Sequence, residues 1–240
     1  MADAPASNPP STAPSHGKTR DLAEILIAYA LIMMVIWTPR AAQRVLWWVA
    51  AAGVLAIICL SFDGWAAAGM RRANFLRSFW IVGAAIAVSA AAMLVAARLG
   101  TLHLPPTVLA FIGTYIAYAI WSAVQQFLLQ AVFLARCLRL IPKTRLAALA
   151  AAALFSAAHL PSPILTPITL VWGAASCLLF LRYRNLYPLA LAHAILGITI
   201  ATTVPGPVDH NMRVGLGYLT YDANHPHHRH LPLVEPRPKE

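Results

Sequence analysis

Long uninterrupted apolar segments are the feature that most constrains how this chain can fold. Of its 240 residues, 60% are hydrophobic and only 11% are charged. A soluble domain averages about 45–50% apolar and about 25% charged residues. A bilayer core about 30 Å thick requires roughly 20 apolar residues in each crossing helix. The sequence therefore predicts an all-α, polytopic transmembrane helical bundle.

The apolar segments predict about seven spans, within a range of six to eight. They lie at 22–38, 45–62, 78–97, 107–138, 146–160, 163–181 and 185–204. The fourth is too long for one straight crossing, so it must tilt, kink or begin at the interface. The predicted regions are a disordered tail at 1–20, N-terminal helices at 21–106, a core at 107–204 and a polar, His-rich tail at 205–240.

The positive charge of the chain is typical of a membrane protein. Its net charge of +10 comes from Lys and Arg clusters between apolar segments, a pattern of helix ends beside anionic lipid. We therefore expect membrane lipid, and no nucleic acid, as a partner. The loops after the second, fourth and sixth spans hold nine Lys and Arg, against three in the alternate loops. This bias predicts a cytoplasmic N-terminus, and we expect the plasma (inner) membrane of a bacterium.

A few polar side chains fall inside the apolar segments. Such groups are costly in hydrocarbon and usually face the interior of a bundle. From the flanking basic residues, their depths are about 14–21 Å at 1.5 Å per residue. We therefore expect them to converge near the middle of the membrane and to share hydrogen bonds. They are Gln125, Gln126 and Gln130 in the fourth segment, His159 in the fifth and His193 in the seventh, with Ser122 one turn before Gln126.

Three short motifs contain these residues: QQFLLQ from Gln125, FSAAH from Phe155 and HAILG from His193. In order and spacing they resemble the CPBP intramembrane protease family, which comprises CAAX proteases and bacteriocin-processing enzymes. That family has Glu-Glu-x-x-x-Arg, Phe-x-x-x-His and His-x-x-x-Asn. The resemblance covers residues 107–204 and implies a CPBP-type helical core.

The resemblance also implies an activity, namely intramembrane endopeptidase, on peptide or prenylated-protein substrates. In the family a Glu, assisted by the His residues, activates water. The family-equivalent catalytic positions here are Gln125, Gln126, His159 and His193, and we expect Gln130, Phe155, Ser122 and Gly197 to contribute to binding. Gln125 and Gln126 replace the two glutamates, Gln130 replaces the Arg and Gly197 replaces the Asn.

The replacements change the chemistry of the site. A carboxylate accepts a proton from water, whereas a carboxamide can only orient water by hydrogen bonds. None of the eight acidic residues lies between positions 64 and 208, so no other acid can substitute. The sequence therefore predicts a divergent, non-catalytic family member that binds peptide or lipidated substrate in a Gln/His pocket in the middle of the membrane.

Three alternatives stay open. His159 can act as a base, on water or on Ser122 as a nucleophile. The two histidines can hold zinc, although a third strong ligand is missing; no other cofactor and no metal site are expected. The third alternative is a small transporter or structural membrane protein, which would be favoured if the polar groups faced different cavities. The tract from His225 to His230 is interpreted as part of a solvated tail.

Overall fold

The computed structural model describes residues 17–221, and every regular element in this range is helical. A helix coincides with each of the seven predicted apolar segments, which confirms the polytopic helical bundle. The longer elements are α1 (Lys18–Ile36), α2 (Arg40–Leu60), α4 (Trp80–Leu99), α5 (Val108–Phe127), α7 (Thr144–Ala157), α8 (Leu165–Tyr183) and α9 (Tyr187–Thr203). The shorter ones are α3 (Phe75–Ser78), α6 (Ala135–Leu140), α10 (Gly206–Asp209) and α11 (Gly215–Leu219).

Fewer helices meet the length for a full crossing than the sequence predicts. In residues 17–221, four are long and apolar enough to cross a membrane: Arg40–Leu60, Phe75–Leu99, Val108–Leu140 and Leu165–Tyr183. The apolar helices α7 and α9 are shorter. Pro161 and Pro163 follow the end of α7, and Pro205 follows the end of α9. Proline cannot continue a helix and disfavours helical backbone in the preceding residue, so both helices stop early.

The fourth predicted segment is one continuous helical rod with a change of pitch inside it. Thr107 caps its start, where the hydroxyl oxygen accepts a hydrogen bond from the amide of Ala110 at 3.2 Å. A π-helical stretch, Leu128–Leu134, joins α5 to α6. The rod of 33 residues is about 50 Å long at 1.5 Å per residue, well above the bilayer core. The wider π turn rotates the side chains that follow it relative to a regular α-helix.

Charged residues gather at one end of the bundle. Glu24 of α1 accepts from Arg136 Nε of α6 at 2.9 Å, and Asp21 pairs with Arg139 at 2.7 Å. Arg139 also contacts Asp63, beyond the end of α2, at 3.1 Å. Arg136 and Asp21 are both fully buried. Removing one partner from such a buried pair costs about 3–5 kcal/mol, so these pairs fasten α1 to α6.

The same end holds the connection between α8 and α9. The Asn185 amide donates to the carbonyl oxygens of Arg71 and Ala73 at 2.8 and 2.9 Å. The guanidinium of Arg71 donates to the carbonyl of Arg184 at 3.0 Å. The basic loops after the second, fourth and sixth segments thus lie together, as the charge pattern requires. That they face the cytoplasm stays a prediction.

The segment 205–221, predicted as the start of a polar tail, is folded at the opposite end. The amide of Gly215 donates to the carbonyl of Leu160 at 2.7 Å, and Tyr221 is buried. Gly215 has a φ of +55°, and a side chain there would collide with Ile36. The rest of that tail, including the tract from His225 to His230, lies outside the described residues, as does most of the predicted N-terminal tail. The helix α1 begins at Lys18, within that predicted tail, because Asp21 is held by Arg139.

Candidate functional site

A cavity of about 710 Å³ lies among α5, α7, α8 and α9. Five of the predicted site residues line it: Gln125, Phe155, His159, His193 and Gly197. Most of the remaining wall is apolar or aromatic, and Asn211, Met212 and Val214 contribute from the folded C-terminal segment. Within residues 17–221, no Asp, Glu, Lys or Arg lines this cavity. Five of the eight predicted residues therefore converge on a neutral pocket.

A chain of hydrogen bonds supports His193 from behind the cavity wall. It starts at the carbonyl of Gly173, which accepts from the Ser176 hydroxyl at 3.1 Å. The Ser176 oxygen then accepts from Gln130 Nε2 at 3.3 Å, and the same amide donates to Gln126 Oε1 at 3.2 Å. Gln126 Nε2 lies 3.2 Å from His193 Nδ1. Because the carbonyl of Gly173 can only accept, the whole chain has one direction.

This direction fixes the protonation of His193. Gln126 uses its oxygen toward Gln130, so its NH₂ group faces His193 and donates. The Nδ1 atom of His193 must then be unprotonated, and its proton lies on Nε2. A carboxylate at position 126 has no hydrogen to donate and would require the opposite tautomer. A Gln rather than a Glu at this position thus sets the tautomer of the histidine as well as providing no base.

In His159 the proton lies on the other ring nitrogen. Its Nδ1 lies 2.8 Å from the carbonyl oxygen of Phe155, which can only accept, so Nδ1 carries the proton and Nε2 has a free lone pair. The Phe155 ring lies beside both imidazoles, with centroids 4.9 Å from His159 and 5.8 Å from His193. The sequence predicts hydrogen bonds from both histidines to the Gln cluster. Only His193 forms one, because α7 ends at Ala157 and leaves the Phe155 carbonyl available to His159.

The three glutamines have different environments. Gln125 is half-buried and lines the cavity, whereas Gln126 is fully buried behind it. Consecutive residues of a helix point about 100° apart, so both cannot face one pocket. Gln130 is also buried, and it lines a second cavity at the charged end of the bundle. Gln126 and Gln130 therefore act on the pocket through His193.

Ser122 is not part of the cavity wall, although the sequence predicts that it contributes to binding there. Its side chain is fully buried, its hydroxyl donates to the carbonyl of Tyr118 at 2.9 Å, and it does not line the cavity. The open alternative in which His159 activates Ser122 therefore has no support from this geometry. A serine hydroxyl within an apolar helix readily bonds the carbonyl one turn earlier, and this bond satisfies the group locally.

Among the aromatic residues of the pocket that were not predicted, two lie beside predicted residues. The Tyr118 side chain fills the space left by Gly197: a Cβ added at Gly197 would lie 2.6 Å from Tyr118 Cζ, and closer still to the hydroxyl. The Trp172 ring lies 6.1 Å from that of His193, and its buried indole N–H has no partner among the described residues. Tyr118 precedes Gln125 by two helical turns and Trp172 precedes Ser176 by one, so helical spacing could have indicated both.

Comparison with known proteins relates this site to a family. Residues 124–199 match the family described as Rce1-like: Type II CAAX prenyl endopeptidase Rce1-like. Over this segment the chain is similar to the CAAX prenyl endopeptidases. The segment contains Gln125, Phe155, His159, His193 and Gly197, the residues that line the cavity. No curated protein and no solved structure matches the chain.

The described residues around this cavity include few groups that could act as a carboxylate base or hold a metal. Between residues 17 and 221, no three His, Cys, Asp or Glu side chains come together. A catalytic zinc site usually needs three protein ligands, and only His159 and His193 face this cavity. Glu24 is bound to Arg136 at the charged end, and Asp209 is buried outside the cavity wall.

Proposed function

We propose that this CAAX-protease-related membrane protein binds a peptide or a prenylated peptide in the Gln/His cavity without cleaving it by the water-activation route. The observation that carries the proposal is the composition of the cavity wall. Gln125, His159 and His193 line one pocket, and no carboxylate of the described chain lines it. The site offers hydrogen bonds to a substrate, but it has no carboxylate base.

The size and polarity of the cavity support substrate binding. Ligand pockets are typically about 300–1,000 Å³, mostly apolar, with a few polar groups that fix orientation. This cavity has about 710 Å³ and a largely aliphatic and aromatic wall. Gln125 can donate to and accept from a peptide bond, and His193 presents an N–H on Nε2. An isoprenoid chain suits the apolar surface, and a peptide suits the polar groups.

We expect no hydrolysis by water activation, because the side chains of Gln125 and Gln126 are not basic. A general base in a peptidase must accept a proton from water, and a carboxamide has negligible basicity. A well-placed general base contributes about 10²–10⁴-fold to the rate. Gln125 and Gln126 can orient water, but neither can receive its proton. The rate of hydrolysis by water activation is therefore expected to be about 10²–10⁴-fold lower than with a carboxylate base.

A second candidate is an endopeptidase with His159 as the base. The free lone pair on His159 Nε2 favours it, since this atom can accept a proton. The resulting imidazolium would have no counter-ion in the cavity wall, and an unpaired charge in a low-dielectric site is costly. This candidate therefore has weaker support than binding alone. A transporter is less favoured, because Gln125, His159 and His193 line the same cavity.

The decisive experiment compares the purified protein with the triple variant Gln125→Glu, Gln126→Glu and Gln130→Arg. Both are incubated in detergent with farnesylated and unmodified peptides, and products and bound peptide are measured by mass spectrometry. We expect binding without cleavage for the native chain and cleavage by the variant. His159→Ala tests the second candidate, and His103→Ala, which removes a histidine outside the cavity, is its matched control. Native turnover that His159→Ala abolishes and His103→Ala preserves would reject the non-hydrolytic proposal.

A further inference from the structure

A second cavity, of about 410 Å³, lies at the charged end of the bundle. Its wall is largely apolar, from residues such as Ile58, Phe127, Leu138 and Phe180. Three arginines, Arg136, Arg139 and Arg184, also line it, against a single carboxylate, Asp63. We name this space the arginine cavity. Its wall thus combines apolar surface with an excess of positive charge.

Arg136 has unused hydrogen-bonding capacity in this wall. The side chain is almost completely buried. Its Nε donates to Glu24 at 2.9 Å, and its Nη1 donates to the carbonyl of Ala131 at 2.8 Å. Its Nη2 is buried and has no partner within residues 17–221. A buried donor without a partner costs about 1–3 kcal/mol, and more for a charged group, so a ligand that accepts from Nη2 would be stabilised.

Arg184 has no carboxylate partner within residues 17–221, unlike Arg136, with which Glu24 pairs. It lies just after α8, half-buried, with its guanidinium 5.2 Å from the centre of the Phe180 ring. Burial, together with the neighbouring charge of Arg71, lowers the pKa of Arg184. Arg139 differs, because Asp21 and Asp63 accept from all three of its nitrogens. The described wall therefore has one unpaired charge, on Arg184, and one unpartnered N–H donor, on Arg136 Nη2.

We propose that the arginine cavity binds the phosphate of an anionic phospholipid, with Arg136 Nη2 and Arg184 as its donors. Arginine binds phosphate oxygens through charge-assisted hydrogen bonds. The cavity lies where helices α2, α6 and α8 end, and basic pockets between transmembrane helices on the cytoplasmic side bind anionic lipid head groups. The apolar wall formed by Ile58 and Leu138 suits the first part of an acyl chain, which free phosphate lacks.

The test measures lipid binding by the full-length protein. Purified protein is titrated with phosphatidylglycerol or phosphatidylcholine in mixed micelles, and bound lipid is counted by native mass spectrometry. We expect selective binding of phosphatidylglycerol. Arg184→Gln should weaken it about tenfold, the effect of one charge-assisted hydrogen bond. Arg182→Gln is the matched control, since it removes an equal charge two positions away, from an exposed residue outside the cavity.

A cavity-filling variant and a competition with inorganic phosphate test the proposal independently of Arg184→Gln. Ala67→Leu fills the cavity without changing charge and should also weaken binding, even if Arg184→Gln fails to fold. Inorganic phosphate alone should not displace the lipid at millimolar concentration. Equal losses in Arg182→Gln and Arg184→Gln would show a general charge effect and overturn the site. Equal binding of the two lipids, no effect of Ala67→Leu, or full displacement by phosphate would overturn the lipid assignment.

Discussion

The contact between Gly197 and Tyr118 makes a quantitative prediction about the pocket. A Cβ at Gly197 would lie 2.6 Å from Tyr118 Cζ and 2.7 Å from Cε1, whereas carbon atoms pack best at about 3.5–4.0 Å. The Tyr118 ring must therefore move by about 1 Å to admit even a methyl group. Overpacking of this kind costs about 1–3 kcal/mol. For a chain of this size, 1 kcal/mol corresponds to about 2–4 °C in Tm.

The assay is thermal unfolding of Gly197→Ala in detergent, followed by tryptophan fluorescence. We expect Tm to fall by about 2–12 °C. Gly113→Ala is the matched control, because that glycine, also in a helix, has no atom within 4 Å of an added Cβ. Gly113→Ala should be neutral or stabilise by about 0.5–1 kcal/mol, since alanine is the better helix former. The two substitutions are thus expected to differ in sign.

Double variants at Gly197 and Tyr118 test whether the Tyr118 side chain causes the loss of stability in Gly197→Ala. Tyr118→Phe removes the hydroxyl, the atom closest to the added Cβ, but keeps the ring carbons at 2.6 and 2.7 Å, so it should reduce the cost of Gly197→Ala only in part. Tyr118→Ala removes them and should abolish that cost, although it destabilises the protein by itself. The reasoning is refuted if Gly197→Ala unfolds at the native temperature, or if its cost is the same with and without the Tyr118 ring.

Four further predictions concern other parts of the molecule. Nitrogen NMR should find His193 protonated on Nε2, and Gln126→Glu should move the proton to Nδ1; an unchanged tautomer would contradict the hydrogen-bond chain. Burial raises the pKa of Asp209 above its usual 3.8, so its ionised form destabilises the fold at neutral pH. Asp209→Asn should therefore raise Tm at pH 7, with a gain that vanishes as the pH falls toward about 4; a gain independent of pH would contradict this. Asn185→Ala should cost about 1–3 kcal/mol, measured by thermal unfolding, because it removes the two hydrogen bonds that the buried Asn185 amide donates to the carbonyls of Arg71 and Ala73; an unchanged Tm would contradict this role of Asn185. A cysteine at Thr144, in a background without native cysteines, should react in intact cells only with membrane-permeant reagents, and labelling by an impermeant one would reverse the orientation.

The sequence was sufficient for the helices and for the Gln and His side chains of the pocket, and physical reasons explain both. Apolar length determines where helices form in a membrane, so all seven segments were found. Polar groups are rare in hydrocarbon, so Gln125, His159 and His193 could be identified as convergent residues before any geometry was known. The direction of each side chain was harder to predict. In lipid both faces of a helix are apolar, and no hydrophobic pattern shows which face points inward.

This ambiguity accounts for the particular errors. Gln125 and Gln126 are adjacent and equally polar, yet only one reaches the cavity. Ser122 was assigned to the pocket by its spacing from Gln126, although a local backbone bond satisfies it. Tyr118 was overlooked because tyrosine is common at membrane interfaces and only the contact with Gly197 shows its role. The folded segment 205–221 was assigned to a tail, since its Gly, Pro and polar residues have no helical periodicity.

The hydrogen-bonded residues His193, Gln126, Gln130 and Ser176 depend on one another, so a carboxylate base cannot be introduced there by one substitution alone. Gln126 donates to His193 and accepts from Gln130, while Gln130 donates also to Ser176. A glutamate at position 126 would accept from both sides, so His193 would need its proton on Nδ1. The new carboxylate would also require a positive partner, because an unpaired charge at this depth is costly. An arginine at position 130 lies one turn away and can supply that charge. Single substitutions to glutamate should therefore impair folding more than they restore activity, and only the coupled change can create both the base and its support.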